Sequence, residues 1–419
     1  MITPARPLTH PLGCLVLWTS LAGCATSTDP ATLRGDSATP ENQPSAEAAH
    51  ALRVEPNTGP RAPAQNPFAG ADFFVNPRYR ERVLESIENA PEKAAALRAV
   101  AKEPTAIWLD RIAALADLSG WLREAAQQTK AQGTPRVPVF VVYDLPNRDC
   151  AAKASAGELT AEADGESRYR SEFIDKIAAE FAKVPEQRVV VILEPDSLAN
   201  LATNMDVPKC SASADLYKRS VAYAIAQLSL PNVYVYVDAA HTGWLGWDGN
   251  RGAMAEIYRE VLDMAGGHER IRGFATNVSN YNALDGDWGW KLESSNPCPN
   301  EYCYIEKLDA TLTAAGISGK GYIVDTSRNG VATTRSKWGH WCNVKGAGLG
   351  ARPEVQPRPL VDAYYWIKPP GESDGVSDPN APRFDAYCAS TDSSAGAPQA
   401  GEWFASYFLE LVDNANPPL

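Results

Sequence analysis

Acidic side chains follow four predicted strands, and their positions could support proton transfer at one edge of a sheet. They are Asp144 and Asp149, Glu194 and Asp196, Asp238, and Glu372 and Asp374. If the strands are neighbours in a parallel sheet, the loops at their carboxyl ends bring these acids to one face. Crowded carboxylates raise one another's pKa, so one can stay protonated near neutral pH beside an ionised partner. Cleavage of a glycosidic bond requires such a pair.

The strand before Asp196 gives the clearest signal, because residues 189–197 read VVVILEPDS. A continuous apolar run of this kind is typical of a strand buried on both faces, as in parallel sheets. Pro195 stiffens the backbone between Glu194 and Asp196. Any one acid could instead cap a loop or pair with Arg148. The same pattern at four strand ends favours chemistry.

Other kinds of active site are less consistent with the sequence. Phosphoryl transfer with a divalent metal also uses clustered acids, but neither phosphate-cradling glycines nor convergent basic residues are present. Ser-His-Asp chemistry lacks a G-x-S-x-G motif. Zinc is disfavoured because the chain has only five His and no C-x-x-C pair. We therefore expect no metal and no cofactor.

Aromatic residues near the acids favour a sugar as the ligand. A single Trp usually packs in a core, but several indoles beside carboxylates are typical of platforms for the apolar faces of sugar rings. The candidates in predicted loops or at element ends are Trp108, Trp244, Trp247, Trp338 and Trp341. The polar companions that could bind hydroxyl groups are Asp110, His241, Asn280, Lys368 and Glu372.

Six apolar runs alternate with helical patterns, which is typical of βα units around a parallel sheet. The predicted strands are 139–143, 189–193, 233–237, 273–276, 322–324 and 363–367, and the predicted helices include 167–184, 214–228, 253–264 and 305–315. This pattern predicts an α/β fold, a closed or partly closed parallel barrel. An open doubly wound sheet is the alternative, but no glycine-rich phosphate loop follows an early strand.

The first 65 residues are expected to lie outside the folded domain. Residues 12–21 form an apolar stretch too short to span a bilayer, typical of a secretory signal. Residues 21–24 read LAGC and resemble the bacterial lipobox, in which Cys24 would be lipidated; a signal peptide cut nearby is the alternative. Residues 25–65 have the composition of a disordered Ala/Thr/Ser/Pro linker. We thus expect signal 1–24, linker 25–65 and catalytic domain 66–419, in an exported bacterial protein, either surface-anchored or secreted.

Charge and cysteine content limit the partners further. The net charge of −12 argues against nucleic acid. We expect a monomer that contacts a membrane only through a lipid on Cys24. Six cysteines follow the signal, and an even number in an exported chain predicts three disulfides whose pairing the spacing does not fix. They are Cys150, Cys210, Cys298, Cys303, Cys342 and Cys388.

Two motifs resemble the signatures of glycoside hydrolase family 6. They are residues 142–152, VYDLPNRDCAA, and residues 193–198, LEPDSL, and the resemblance extends from residue 66 to 417. The resemblance implies a cellulase that hydrolyses β-1,4-glucan with inversion on a distorted barrel of about seven strands. It also implies the pairs Cys150–Cys210 and Cys342–Cys388. Cys298 and Cys303 would close a small local loop.

The resemblance also implies a role for each site residue. Asp196 corresponds to the general acid, Asp149 to the acid that holds its proton in place, and Asp374 to the proposed base, acting directly or through a water chain. Tyr143 corresponds to the tyrosine that distorts the reactive sugar, and Asp238 to a supporting carboxylate. The implied substrate contacts are Trp108, Asp110, Ser155, His241, Trp244, Trp247, Asn280, Trp341, Lys368 and Glu372.

The family contains chain-end cellobiohydrolases, whose loops roof the cleft, and endoglucanases with trimmed loops. Residues 368–401 are long, carry Cys388 and resemble the roofing loop, and a long irregular loop is usually functional. We therefore expect release of cellobiose from chain ends, with endo cleavage as the alternative. An inactive glucan-binding surface protein is less consistent with the intact Asp196, Asp149 and Asp374.

Overall fold

The computed structural model describes residues 64–332 and 335–419. The predicted signal peptide, 1–24, and all but two residues of the predicted linker, 25–65, lie outside the described residues. Within the described part, no helix is long and apolar enough to cross a membrane.

A ring of parallel strands forms the centre of the domain. The strands are β1 (Asp72–Phe73), β2 (Ile107–Leu109), β3 (Arg136–Val137), β4 (Val139–Val142), β5 (Val189–Leu193), β6 (Val233–Asp238), β7 (Gly273–Thr276), β8 (Gly321–Asp325), β9 (Glu354–Arg358) and β10 (Val361–Tyr365). The main sheet has the order β2-β4-β5-β6-β7-β8-β10-β9, and β9 alone of these pairs antiparallel to its neighbour. β1 and β3 form a separate parallel pair.

The ring closes between its first and last parallel strands through a short seam. Thr105 forms a single parallel bridge with Trp366, and the Ala106 N–H donates to the Trp366 carbonyl at 3.1 Å. Seven parallel strands therefore surround the interior, as expected for a distorted, partly closed barrel. The open doubly wound sheet is excluded by this closure.

Alternate residues along the strands separate two cores. On β4, Val139 and Val141 face the barrel interior with Tyr236 and Ile323, while Phe140 and Val142 join the larger cluster against the helices. Burial on both faces explains the uninterrupted apolar runs in the sequence. All six predicted strands are present.

Helices surround the ring. They are α1 (Pro77–Asn89), α2 (Ala94–Val100), α3 (Leu118–Gln132), α4 (Gly165–Arg168), α5 (Asp175–Ala182), α6 (Leu198–Thr203), α7 (Pro208–Leu228), α8 (Thr242–Leu245), α9 (Asp248–Ala265), α10 (Gly289–Leu292), α11 (Glu301–Ala314) and α12 (Ala405–Asp413). The predicted helix 167–184 is interrupted, because Tyr169–Ile174 between α4 and α5 is π-helical.

Two of the three expected disulfides are present. Cys150 is bonded to Cys210, and Cys342 to Cys388. The prediction of a third disulfide was wrong, because Cys298 and Cys303 are free thiols, with their Sγ atoms 2.7 Å apart. Both thiols have other polar partners. The Cys303 thiol donates to the Pro297 carbonyl at 3.4 Å, and the Arg251 guanidinium lies 3.9 Å from the Cys298 sulfur.

Replacing Gly273 by Ala should destabilise the barrel, because a Cβ there would collide with the Gly321 carbonyl oxygen on the neighbouring strand. We expect the free energy of unfolding in urea to fall by about 1–3 kcal/mol. Gly252→Ala in α9 is the matched control, since nothing lies within 4 Å of its Cβ position. Ala should stabilise that helix by roughly 0.5–1 kcal/mol. Equal stability of the two variants would contradict the close approach of β7 and β8.

Candidate active site

A cleft runs across the carboxyl ends of the barrel strands. It consists of two cavities of about 350 and 450 Å³, here called the first and second cavity. Four residues line both cavities, so the two are continuous: Trp108, Tyr143, Ser155 and Lys368. Ligand sites of α/β folds lie at this edge of the sheet.

The structure brings most of the sequence-predicted site residues to this cleft. Asp110 and Glu372 line the first cavity. The second is lined by Asp149, Asp196, His241, Trp244, Asn280, Trp341 and Asp374. Of the residues with a role implied by the resemblance, two line neither cavity: Asp238 lies behind Asp196, and Trp247 is a partly buried residue outside both cavities.

Asp196 occupies a tight turn after β5. Glu194 and Asp196 both have left-handed backbones, with φ of 50° and 60°, which is uncommon for residues other than glycine. The Asp196 N–H donates to Asp238 Oδ2 at 3.1 Å and fixes this turn. Among the described residues, no donor hydrogen-bonds to the Asp196 carboxyl group itself, which faces the second cavity.

The pKa of Asp196 lies well above its usual range. Burial is the main cause, and the negative charges of Asp238, Asp149 and Asp374 add to it. Asp238 is itself buried, and burial raises its pKa to about 7 against the opposing effect of two N–H donors, Ala240 and Asp196. The protonated form of Asp196 is therefore favoured near neutral pH.

Arg148 organises the loop that carries Asp149. Its guanidinium lies 4.3 Å from the centroid of the Tyr143 ring and donates to the carbonyls of Ser155 and Asp110, at 2.7 and 2.8 Å. Asp149, with a left-handed φ of 61°, accepts the Ser155 N–H at 2.7 Å. Burial raises the pKa of Asp149, although the Ser155 N–H and Arg148 oppose this shift.

Two of the strand-end acids are structural. Glu194 is buried behind the cleft and accepts hydrogen bonds from the Tyr169 hydroxyl at 2.8 Å and from the N–H groups of Asp144 and Leu145, both at 3.2 Å. Asp144 is also fully buried. Burial raises the pKa of Glu194 to about 7 and that of Asp144 to about 8. Neither residue lines a cavity, so the strand-end pattern overcounts the acids that can meet a ligand.

Asp374 is held by residues that the sequence analysis missed. Arg328, fully buried, donates to both carboxylate oxygens at 2.8 and 2.9 Å. The Tyr281 hydroxyl and the Asn343 N–H also donate to Oδ2, at 2.8 and 2.9 Å. None of the three lies in a recognisable motif, since all are distant from Asp374 in the sequence, in the segments that follow β7 and β8.

Asp325 was also missed, although the sequence pattern around it could have indicated it. Asp325 directly follows the apolar run of β8, as the other acids follow their strands. Its carboxylate accepts the N–H groups of Ser279, Ser327, Ile367 and Lys368, and thereby connects the loops after β7, β8 and β10. It positions the mouth of the cleft.

The first cavity combines an indole with charged groups. The Trp108 Nε1–H donates to the Ile367 carbonyl at 2.9 Å, and the Lys368 ammonium lies 5.6 Å from the Trp108 ring centroid. Burial raises the pKa of Glu372 to about 7, although Lys368 opposes the shift. These groups offer one stacking face with hydrogen-bonding partners around it.

His241, which also lines the second cavity, is neutral near neutral pH. Burial lowers its pKa to about 3, with a smaller contribution from Arg335. Arg335 donates to Asn280 Oδ1 at 2.9 Å and so fixes the amide orientation, which directs the Asn280 Nδ2 group to His241 Nε2 at 2.9 Å. His241 Nδ1 then carries the proton and has no protein partner among the described residues. Trp244 is anchored by its Nε1–H, which donates to Thr203 at 2.6 Å.

Two loops meet beside the second cavity. Ala154 packs against the Cys342–Cys388 disulfide together with Trp341, and the Lys153 N–H donates to Asp385 at 3.0 Å. These contacts join the loop after β4 to the long loop after β10. Both loops contribute residues to the second cavity, among them Ala152 and Tyr387.

The comparisons with known proteins agree on one family. A model described as "Glycosyl hydrolases family 6" matches residues 68–415. Exoglucanase 3 of Agaricus bisporus is 42% identical over 359 residues, or 85% of this chain and 80% of that protein. A putative endoglucanase type B of Fusarium oxysporum is 43% identical over 366 residues, or 85% and 78%. The structure of cellobiohydrolase II (Cel6A) from Humicola insolens, in complex with glucose and cellotetraose, has a TM-score of 0.82 at 42% identity and covers 85% of this chain and 100% of that chain.

The matched residues include the complete parallel ring and every acid that lines the cleft. The sequence identity extends over most of this chain and of its relatives, and the folds superpose. The chain is a glycoside hydrolase and belongs to glycoside hydrolase family 6.

Proposed function

We propose that this enzyme hydrolyses β-1,4-glucosidic bonds in cellulose and cello-oligosaccharides with inversion and releases cellobiose from chain ends. The observation that carries the chain-end mode is the contact between Ala154 and the Cys342–Cys388 disulfide, which joins two loops that both line the cavity of the acids. If the joined loops roof the cleft, a chain can enter only by threading its end. The names of the relatives, exoglucanase and cellobiohydrolase, support the same substrate.

Asp196 is proposed to be the general acid. It faces the cavity, accepts no hydrogen bond among the described residues and has a raised pKa, so it can deliver its proton to the leaving glycosidic oxygen. The negative charge of Asp149 contributes to that raised pKa and so helps to keep the proton on Asp196. Asp238 supports the acid by fixing its backbone through the Asp196 N–H.

Asp374 is proposed to direct the attacking water, as inversion requires a carboxylate on the opposite side of the sugar. Its Oδ2 accepts three hydrogen bonds, while Oδ1 accepts one, from Arg328. Oδ1 is therefore the atom with room for a water molecule. The water bound there would pass its proton to Asp374 either directly or through a water chain.

The glucan is proposed to cross both cavities. Trp108 offers a stacking face in the first, and Trp244 and Trp341 offer faces in the second. Tyr143 lies where the cavities join, beside the acid, and there it can press on the reactive ring. The polar contacts would come from Asp110, Ser155, His241, Asn280, Lys368 and Glu372.

Endo cleavage is the second candidate, since one relative is named a putative endoglucanase. The contact between the two loops beside the acids favours the chain-end mode. An inactive glucan-binding protein would not need the proton-holding arrangement around Asp196.

We further propose that the protein is exported by a bacterium, as a monomer. Two disulfides fit an oxidising compartment. The sequence LAGC at 21–24 supports lipidation of Cys24, which would anchor the enzyme at the cell surface.

Asp196→Asn should reduce kcat on cellotetraose by about 10²–10⁴-fold, because an amide cannot donate the required proton. Binding of cellotetraose, measured by calorimetry, should be largely kept, since the stacking residues are unchanged. Asp378→Asn, at an exposed loop acid, is the control and should behave like the parent. Undiminished hydrolysis by Asp196→Asn would remove Asp196 from the mechanism.

Asp238→Asn should move the alkaline limb of the pH profile of kcat/KM to lower pH by roughly one unit. Above its pKa of about 7, Asp238 is negative and helps to keep the proton on Asp196. The Asn oxygen can still accept the Asp196 N–H, so the turn should remain. An unchanged alkaline limb would show that Asp238 does not act on the proton of Asp196.

Hydrolysis of carboxymethylcellulose should release reducing ends with little loss of viscosity, as expected if the joined loops keep the middle of a chain out of the cleft. Asp385→Ala removes the acceptor of the Lys153 N–H and should increase the viscosity loss per reducing end. A rapid fall in viscosity with the parent enzyme would instead support the endo mode.

A further inference from the structure

Two tryptophans are exposed outside the cleft. Trp288 and Trp290, in the segment 285–298 before α11, are 41% and 48% exposed, and in the described part of the chain they are the only tryptophans among the exposed large hydrophobic residues. Neither belongs to a hydrophobic core cluster. Two exposed indoles on one short segment need an explanation other than folding.

The two indoles are held in place. The Trp290 Nε1–H donates to the Asn296 carbonyl at 3.0 Å, and the Lys291 ammonium lies 3.6 Å from the Trp288 ring centroid. The Gly289 N–H between them donates to the Pro299 carbonyl at 3.0 Å. Their polar atoms and backbone are satisfied, which leaves ring surface for a ligand at little cost in side-chain entropy.

The segment is attached to the wall of the cleft. Asn296, buried, donates from Nδ2 to the Thr242 carbonyl at 2.9 Å, at the start of α8, which carries Trp244. The Trp247 Nε1–H donates to Ser295 at 3.4 Å. Trp288 and Trp290, here called the outer platform, therefore lie on a segment that is attached to the protein next to Trp244 and Trp247.

The surroundings of the outer platform favour a carbohydrate over a lipid or protein partner. The other exposed side chains of the segment are polar: Asp285, Asp287, Lys291, Glu293, Ser294 and Ser295. A protein interface or membrane site would have contiguous apolar surface, whereas sugar rings stack on isolated indoles and bond to polar neighbours. The three acids against one Lys also oppose an anionic lipid surface.

We propose that the outer platform is an additional binding site for β-1,4-glucan, which holds the part of a long chain or cellulose surface that extends beyond the cleft. This site rests on the proposed glucan substrate but is separate from the catalytic subsites. It should matter for polymeric substrate and not for a short oligosaccharide that fits within the cleft.

The test compares the full-length parent with the double variant Trp288→Ala/Trp290→Ala, both carrying Asp196→Asn so that the polymer is not degraded. Binding to insoluble cellulose is measured by depletion, with cellotetraose added to occupy the cleft. The double variant should bind about tenfold more weakly. Leu360→Ala removes an exposed side chain at the amino-terminal end of β10 and is the control, which should bind like the parent.

The same substitutions in the active enzyme should leave kcat/KM on cellotetraose within about twofold of the parent. Unchanged cellulose binding by the double variant would overturn the proposal. Equal losses on cellotetraose and cellulose would also overturn it, because the tryptophans would then act through the cleft. Loss of binding to neutral phosphatidylcholine vesicles, with cellulose binding kept, would assign the platform to a membrane instead. If the parent hydrolysed no β-1,4-glucan, the proposed function would fail. That outcome comes from the hydrolysis assay and does not depend on the cellulose-binding measurement.

Discussion

Hydrogen bonds from loop backbones to strand-end carboxylates are the interaction on which the cleft depends. Glu194, after β5, accepts N–H groups from the loop after β4, and Asp238, at the end of β6, accepts the Asp196 N–H from the loop after β5. Asp325, at the end of β8, accepts the Ser279 N–H from the loop after β7. Each acid thus fixes the loop of the preceding strand, at three places around the barrel mouth.

This arrangement also distinguishes the acids chemically. Burial penalises every carboxylate at the mouth, and N–H donors compensate part of that cost for Glu194, Asp238 and Asp325. Asp196 has no such donor among the described residues and lies among negative neighbours, so neutralisation by a proton is its remaining option. Asp196, the proposed proton donor, is therefore the carboxyl group whose burial is not offset by hydrogen bonds from backbone N–H groups.

The sequence could predict the fold because the strands are long apolar runs buried on both faces. β2 was missed since its three residues carry too short a pattern, and β9 was missed because it is an exposed edge with the sequence EVQPR. α1, α3 and α12 were not among the predicted helices. α1 has few apolar positions, α12 is apolar but only nine residues long, and α3 ends at Gly133 after a weakly patterned polar stretch.

The site was predictable where motifs carry it and unpredictable where distant loops converge. Asp149 and Asp196 lie in recognisable runs, whereas Arg328, Tyr281 and Asn343 meet Asp374 only in the folded chain. The acidic pattern alone placed Glu194 beside Asp196 as an equal, because adjacency in sequence does not show that a left-handed turn directs them to different sides. Cys298 and Cys303 show that closeness in sequence can also mislead, since these two cysteines do not form the predicted disulfide.

The seam at Thr105 and Trp366 has a mechanical consequence. Elsewhere the ring is joined by continuous ladders, but here the wall is held by one bridge, by Ala106 and by the Trp108 indole on Ile367. Circumferential stiffness is lowest at this point, which borders the first cavity. A sugar ring bound in the first cavity would thus contact the most compliant part of the wall, whereas Asp196 and Asp238 follow two strands that are joined by a continuous ladder.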